Sequence, residues 1–419
     1  MKAAVYLRAR WRNLGPGILL AATSIGASHL VMSPQAGALF DTHLLWLVLA
    51  SHIFKYPAFE LGPRYAAVTG RSLLDGYLGV PGPRGWALWL FLLGTVLQGI
   101  GVLGGVVSIS GAVLHCWFGP STEWFSLGVA LVVLLLLFCG GFGWLDNLNK
   151  LMMAVLALAT LLAFLPSCPQ PQKLAYLFIP SLPPGSLVLV AAILGWMPTG
   201  IDVSVWHSFW TLEKFKLLGF DASDSSRVRE RLRLQLSDMR LGYGLSLVTA
   251  LMFMCMGASL LGGRAQQLRG AEFASALAGA YAGTLGQWMG QVFMLTAFFA
   301  MFSTSYTVVD GFSRSFSEGL ATLFPRLATS RQRLYFGFAL FSTALAVILI
   351  FAVGNPVALV TTVALLSLCA APLLYGLNIY CAQKHISDPE LGPPRWLVIL
   401  GWAGVGFMLL ALAATAASL

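Results

Sequence analysis

Long apolar runs alternate with short polar stretches from one end of the chain to the other. A helix needs about 20 apolar residues to cross the hydrocarbon core of a bilayer. Eleven runs come close to this length, and we number them spans 1 to 11 in chain order. They lie near residues 14–38, 44–68, 86–114, 122–142, 149–166, 186–210, 241–262, 284–310, 333–353, 356–382 and 395–417. The pattern predicts an all-α polytopic membrane protein in contact with the lipid bilayer.

The composition agrees with a membrane protein and argues against other classes. Of the 419 residues, 58% are hydrophobic and only 10% are charged, whereas soluble domains carry about 25% charged residues. The six cysteines show no C-x-x-C spacing, which favours packing positions over disulfides or metal ligands. The chain has no P-loop, no His-Glu-x-x-His motif and no nucleophile elbow. We therefore predict neither an enzyme nor a bound cofactor.

The basic residues are distributed unevenly between the two sides of the predicted membrane. If the basic N-terminus is cytoplasmic, 20 of the 25 Lys and Arg residues fall on the inner side and three fall in outer loops. The positive-inside rule requires such a bias. It explains the net charge of +9 as membrane topology rather than as nucleic-acid binding. We predict a multi-pass protein of the cytoplasmic (inner) membrane, with its N-terminus inside and its C-terminus outside.

Two halves of five spans each make up the predicted core. An odd number of spans per half forces the second half to run inverted relative to the first, as in inverted-repeat transporters. Span 11 is then one extra helix outside the 5+5 repeat. The predicted units are residues 1–210 (spans 1 to 5 and span 6), a cytoplasmic linker at 211–240, the rest of the second repeat at 241–383, and span 11 at 384–419.

Span 6 contains a predicted break in its helix. Pro198 removes a helix donor and Gly200 lowers the cost of leaving helical geometry, so the backbone around Thr199 should unwind. Unwound backbone at membrane depth is tolerated only where it lines a cavity or is buried in protein. Asp202 follows closely, and an acid inside the membrane is a functional hypothesis by default. We interpret this stretch as half of a substrate site.

Span 1 supplies a matching break at a similar depth. Spans 1 and 6 occupy corresponding positions in an inverted repeat, and paired interruptions there point to the binding site. Small and hydroxyl-bearing residues gather near the middle of span 1. The predicted substrate-binding residues are Gly26, Ala27, Ser28, His29, Met197, Pro198, Thr199, Gly200 and Asp202.

These residues leave the class of solute open. His29, Met197 and Asp202 would form a soft ligand set if the substrate is a metal. Half-helix N-termini beside the two breaks would instead suit a small anion such as bicarbonate, or an amino acid. A membrane sensor that does not transport is the third possibility. The expected partners are a small ion or solute and a coupling ion, H⁺ or Na⁺.

Span 2 carries three charged residues, and unpaired charge is costly inside a membrane. Glu60 and Arg64 are four residues apart on one helical face, which predicts an ion pair. Lys55, Glu60 and Arg64 are interpreted as a structural, coupling or gating network, with a proton relay through Lys55 or Glu60 as the alternative. Asp310 and Arg314 are expected to form a second pair at the inner end of span 8.

Several motifs resemble the Nramp family of divalent-metal transporters. They are Gly15-Pro-Gly, Gln35-Ala-Gly, Thr69-Gly-Arg and Met197-Pro198. Three further stretches resemble, more narrowly, a bacterial side branch of that family. They are Ser28-His-Leu-Val, Lys55-Tyr-Pro-Ala-Phe-Glu-Leu-Gly-Pro-Arg-Tyr and Gly195-Trp-Met-Pro-Thr. The resemblance implies a LeuT-type fold with spans 1 and 6 unwound around a mid-membrane site. It also implies secondary active transport of a small inorganic ion by alternating access, with a divalent metal cation as the family default.

The chain departs from the family at the metal ligands. The family motif Asp-Pro-Gly-Asn falls on the stretch 26–29, where the carboxylate is missing, and Met-Pro-His-Asn falls on 197–200, where the histidine is missing. A second family histidine falls on Ser204, with His207 as the nearest substitute, and His207 joins the predicted coupling or gating residues. Span 3 lacks the acids of the family's proton route, and the span 10 glutamine falls on Cys369. The resemblance therefore implies an Nramp-like scaffold with an atypical substrate site.

Overall fold

A computed structural model describes residues 15–119, 121–139, 142–220, 225–262 and 271–418. Within these ranges the regular structure is helical, and no strand occurs. The helices are α1 (Pro16–Ser24), α2 (Ser33–Phe40), α3 (Leu45–Thr69), α4 (Leu73–Leu78), α5 (Trp86–Phe118), α6 (Thr122–Cys139), α7 (Phe142–Phe164), α8 (Pro171–Leu174), α9 (Leu187–Trp196), α10 (Val203–Leu217), α11 (Val228–Leu260), α12 (Ala271–Leu285), α13 (Gln287–Leu323), α14 (Arg331–Val353), α15 (Pro356–His385) and α16 (Arg395–Ser418). A π-helical turn, Ser28–Met32, joins α1 to α2.

The helices follow the predicted spans closely. Spans 1 and 6 are each split in two, as α1 with α2 and as α9 with α10. Spans 2, 3, 4, 5, 7, 8, 9, 10 and 11 correspond to α3, α5, α6, α7, α11, α13, α14, α15 and α16. Among the described residues, eight helices are long and apolar enough to cross a membrane, and the shorter apolar helices Lys150–Phe164 and Leu187–Trp196 belong to spans 5 and 6.

Two elements differ from the sequence-based expectation. Helix α11 begins at Val228, within the stretch predicted as a linker, because Val228, Leu232, Leu236 and Met239 form a buried stripe at helical spacing. Polar residues lie between these four positions, so the stripe does not form a continuous apolar run in the sequence. Helix α12 has 15 residues and lies where an outer loop was expected.

Glycines bring span 1 and α11 together backbone to backbone. A Cβ atom on Gly242 would lie 1.8 Å from the Gly17 carbonyl oxygen, and a Cβ on Gly257 would lie 2.1 Å from the Pro34 carbonyl oxygen. Small residues are the usual means of close helix packing in membranes, where dispersion contacts replace the hydrophobic drive. Span 1 is thereby packed against α11 on both sides of its break.

We expect Gly242→Ala to lower the free energy of unfolding by about 1–3 kcal/mol, since overpacking forces the two backbones apart. Thermal unfolding of the purified protein in detergent measures this effect. Gly244→Ala is the matched control, because no atom lies within 4 Å of its added Cβ. Equal changes in the two variants would contradict the close packing at Gly242.

Asp238 of α11 fixes the start of span 1. Its carboxylate accepts hydrogen bonds from the backbone N–H of Gly17 at 2.8 Å and from that of Gly15 at 3.2 Å. The first N–H groups of a helix have no partner within the helix and carry partial positive charge, so a carboxylate there satisfies both needs. Span 1 and α11 are thus joined by polar contacts as well as by glycine packing.

Candidate functional site

The break in span 1 is stabilised by span 8. The Gly26 N–H bonds to the Ser24 carbonyl at 2.8 Å, which frees the Ala22 carbonyl from its place in the helix. Thr304 of α13 donates its Oγ1 hydrogen to that Ala22 oxygen at 2.9 Å. A Cβ on Gly26 would lie 2.9 Å from Thr304 Oγ1. Glycine at position 26 therefore allows the threonine to reach the freed carbonyl.

The break in span 6 extends from the end of α9 at Trp196 to the start of α10 at Val203. Lys55 of α3 is fully buried and reaches this segment. Its Nζ donates to the carbonyl oxygen of Gly195 at 3.1 Å and to that of Thr199 at 3.2 Å. Span 2 thus provides the hydrogen bonds that the interrupted helix lacks.

A small cavity lies between the two breaks. Its water-accessible space is about 30 Å³, and one water molecule needs about 10–15 Å³ on this measure. Spans 1, 3, 6, 8 and 10 all contribute to its wall. The lining residues are Thr23, Ala27, Ser28, Gln98, Val102, Val106, Trp196, Thr199, Gly200, Asp202, Val203, Trp206, Thr304, Val308, Phe312 and Ser367. The cavity has room for a bare ion or for a few water molecules.

The structure brings five of the predicted substrate-binding residues to this cavity, namely Ala27, Ser28, Thr199, Gly200 and Asp202. Asp202 is the only ionisable residue among the lining residues, and its carboxylate is buried. A Cβ on Gly200 would lie 2.3 Å from Asp202 Oδ1. Glycine at 200 therefore gives the carboxylate its place beside the break.

The other four predicted residues lie at the breaks but not in the cavity wall: Gly26, His29, Met197 and Pro198. His29 Nδ1 lies 2.9 Å from Ser28 Oγ, and its Nε2 lies 3.0 Å from both the Oγ and the carbonyl oxygen of Ser246. His52 of α3 shares this serine, with its Nε2 at 3.2 Å from Ser246 Oγ. The histidine side chain is therefore engaged with span 7, and sequence reasoning missed its neighbour His52.

Sequence reasoning also missed a series of hydrogen bonds that crosses the cavity wall. Trp196 Nε1 donates to Ser367 Oγ at 2.9 Å, and Ser367 donates to Gln98 Oε1 at 2.6 Å. These hydrogen bonds link spans 6, 10 and 3. A glutamine inside an apolar span indicates a polar contact between helices. Gln98 is not ionisable, however, so the ionisable residues of span 3 do not reveal it. Cys369, aligned with the family's span 10 glutamine, is exposed on the outside of the bundle.

The predicted ion pair in span 2 is present. Arg64 Nη2 lies 2.5 Å from Glu60 Oε1, and Tyr56 donates to Glu60 Oε2 at 2.5 Å. Arg240 of α11 approaches the same carboxylate at 3.5 Å. Arg64 Nη1 also donates to the Leu391 carbonyl at 2.8 Å. This carboxylate joins spans 2 and 7, while Arg64 ties span 2 to the segment before span 11.

The second predicted pair, between Asp310 and Arg314, has Nη2 and Oδ1 2.8 Å apart. Asp310 also accepts hydrogen bonds from Trp210 at 3.2 Å and from Tyr335 at 2.8 Å. The carboxylate therefore connects spans 6, 8 and 9 at one end of the bundle.

Two polar residues outside the break in span 6 make contacts between helices. His207 is fully buried, and its Nε2 lies 3.0 Å from Gln235 Nε2 of α11. Asn378 of α15 donates to Ser204 Oγ at 2.7 Å and accepts from Tyr77 at 2.6 Å. Neither His207 nor Asn378 lines the cavity between the breaks.

The ligand chemistry of the cavity is dominated by oxygen. It offers one carboxylate, several hydroxyl groups and the Gln98 amide. Met197 is buried without lining the cavity. Over the ranges that the structure describes, no group of three or more His, Cys, Asp or Glu side chains could hold a metal ion. A cation bound here would therefore meet few charged ligands and several neutral oxygens.

A comparison with known families decides the relationship. The family model Nramp, described as natural resistance-associated macrophage protein-like, matches residues 17–418. The chain belongs to the Nramp family. This chain is therefore a multi-pass membrane protein of a transporter family.

Two curated proteins are similar to this Nramp chain in sequence. The uncharacterized protein PM0681 of Pasteurella multocida is 29% identical over 407 residues, which cover 94% of this chain and 89% of that protein. The divalent metal cation transporter MntH of Chromohalobacter salexigens is 28% identical over 188 residues, which cover 43% of this chain and 42% of that protein.

Solved structures confirm the fold. A mutant of the manganese transporter of Eremococcus coleocola superposes with a TM-score of 0.68 at 16% identity, covering 97% of this chain and 86% of that one. Mhp1, a nucleobase-cation-symport-1 family transporter, gives a TM-score of 0.60 at 14% identity and covers 97% and 93%. The predicted all-α, LeuT-type architecture is therefore correct for this Nramp chain.

Proposed function

We propose that this Nramp chain is a secondary active transporter that moves a hard divalent cation, Mg²⁺ or Mn²⁺, across a membrane by alternating access. The observation that carries this proposal is the cavity between the two breaks, with the Asp202 carboxylate as its charged group. Family membership and the superposition on a manganese transporter support cation transport. The nature of the cation follows from the donor atoms.

Oxygen donors favour a hard ion. Mg²⁺ is bound by oxygen through one or two carboxylates and keeps several water molecules. Asp202 supplies one carboxylate, while Ser28, Thr199 and Gln98 supply neutral oxygens at the same cavity. Softer metals prefer imidazole or thioether ligands, and neither His29 nor Met197 lines the wall. The donor set thus supports Mg²⁺ or Mn²⁺ over a soft metal.

Size and charge weigh against the other solutes. About 30 Å³ of water-accessible space is too little for an amino acid in this conformation. A bicarbonate-like anion would bind at the N-terminus of α10, but Asp202 is the N-cap residue of that helix and its carboxylate would repel the anion. Transport of an anion, transport of an amino acid and a sensor that does not transport are therefore the alternatives that the transport experiment below must distinguish.

Transport by purified protein in proteoliposomes tests the proposal. We expect saturable uptake of Mg²⁺ and Mn²⁺, with each ion competing against the other, because both would use the Asp202 site. Uptake of bicarbonate or of an amino acid without cation uptake would overturn the proposed substrate. Failure of every solute to move under any ion gradient would favour the sensor.

A further inference from the structure

Lys55 places a positive charge at a point where a broken helix offers a cation site. Its ammonium bonds the carbonyl oxygen of Gly195, in the last turn of α9, and that of Thr199, in the unwound segment. The C-terminal end of a half-helix carries partial negative charge, and unwound carbonyls next to it coordinate cations in transporters of this architecture. The lysine therefore occupies a position suited to an inorganic cation.

Lys55 is also a charged neighbour of Asp202, the acid of the substrate cavity, because its ammonium bonds the carbonyl oxygen of Thr199 at 3.2 Å, and Thr199 lines the same cavity three residues before Asp202. Both side chains are buried. A lone carboxylate in such surroundings is costly, and a nearby cation offsets part of that cost. Among the described residues around the empty cavity, the Asp202 carboxylate and the Lys55 ammonium are therefore the pair that can balance each other.

The other charges in span 2 do not take part in this balance. Glu60 is engaged by Arg64, Tyr56 and Arg240. Within the described part of the chain, Lys55 Nζ makes its hydrogen bonds to two neutral carbonyls and to no carboxylate oxygen. Its charge is thus directed at the break in span 6 rather than at the ion pair on its own helix.

We propose that Lys55 is a resident cation, which balances Asp202 in the empty transporter and competes with the substrate cation for it. This inference rests on the proposed function and adds a role for a residue outside the cavity wall. When the substrate binds, the Asp202 carboxylate interacts with the metal ion. Lys55 keeps its hydrogen bonds to the two carbonyl oxygens, and its positive charge repels the metal ion. When the substrate leaves, Lys55 again balances the carboxylate, and the empty protein reorients without an uncompensated buried charge.

Removal of the Lys55 charge therefore affects two steps of the transport cycle in opposite directions. Cation binding becomes tighter because the repulsion disappears. The return of the empty protein becomes slower because Asp202 remains unbalanced. Net uptake requires that return, whereas exchange of internal for external cation does not.

The Lys55→Gln variant tests these steps, since glutamine keeps a hydrogen-bond donor and removes the charge. We expect Mg²⁺ or Mn²⁺ affinity to rise, exchange in proteoliposomes to persist, and net uptake to fall by about tenfold or more. Lys55→Arg keeps the charge and should retain net uptake. Lys216→Gln removes an exposed lysine paired with Glu213 and is the matched control, with no change expected.

The outcomes separate the two proposals. Weaker cation binding by Lys55→Gln, or an equal loss of exchange and net uptake, would overturn the role of Lys55 and leave a purely structural one. If Lys55→Gln does not fold, the affinity and net uptake of Lys55→Met decide by the same criteria. A wild-type protein that neither binds nor exchanges the cations would overturn the proposed function itself.

Discussion

The Asp202→Asn variant should bind Mg²⁺ and Mn²⁺ more than about 100-fold more weakly than the wild type, with transport lost in proportion. Asp202 is the only ionisable residue lining the cavity, so the amide removes the whole negative charge that faces the substrate. Truncating one partner of a buried charge pair costs about 2–5 kcal/mol of binding free energy, and about 1.4 kcal/mol corresponds to a tenfold change in affinity. Titration calorimetry gives the affinity, and proteoliposome uptake gives the transport rate.

Asp41→Asn serves as the control for Asp202→Asn. Asp41 is a half-exposed aspartate that pairs with Lys173 at 2.6 Å, away from the cavity. Exposed pairs contribute about 0–1 kcal/mol, so affinity and transport should remain near the wild-type values. Unchanged cation affinity in Asp202→Asn would show that the substrate binds elsewhere.

The Glu60→Gln variant should lose about 3–5 kcal/mol of stability, as measured by thermal or denaturant unfolding in detergent. The carboxylate is fully buried and accepts from Tyr56, Arg64 and Arg240. An amide leaves the buried Arg64 without its counter-charge.

An exposed ion pair provides the comparison for Glu60→Gln. Glu230 pairs with Arg227 at 2.9 Å on the surface, so Glu230→Gln should change stability by less than about 1 kcal/mol. Adding Arg64→Gln to Glu60→Gln should recover part of the loss, since the double variant leaves no buried charge unpaired and Arg240, the remaining partner of position 60, is exposed to solvent. A Glu60→Gln protein as stable as Glu230→Gln would contradict the importance of the buried network.

The spans were predictable because bilayer thickness sets a minimum apolar length for each helix. The starts of α5, α15 and α16 agree with their predicted spans for this reason. The start of α11 was not predictable in the same way. Only one face of its first turns is buried against the rest of the protein, so only one stripe of this part of the helix is apolar.

The breaks were predictable because proline and glycine act on the backbone locally. Pro198 and Gly200 do lie in a non-helical segment, and Gly26 lies in the other. The direction of each side chain depends on tertiary packing. The π-helical turn after Ala27 changes the helical register, so Ser28 lines the cavity while His29 bonds with Ser246. Spacing along the chain does not contain that information.

The partners of Lys55 and Arg64 lie far ahead of them in the chain. The two carbonyls that bind Lys55 come 140 and 144 residues later, and those that bind Arg64 come 327 and 328 residues later. At about 5–20 residues per second, the ribosome reaches the first pair only after roughly 7–30 s. Each Lys or Arg near a helix centre meanwhile disfavours membrane insertion by about 2.5–3.5 kcal/mol. Span 2 is therefore a weak insertion segment during synthesis, and its stable place in the bilayer depends on helices that are made after it.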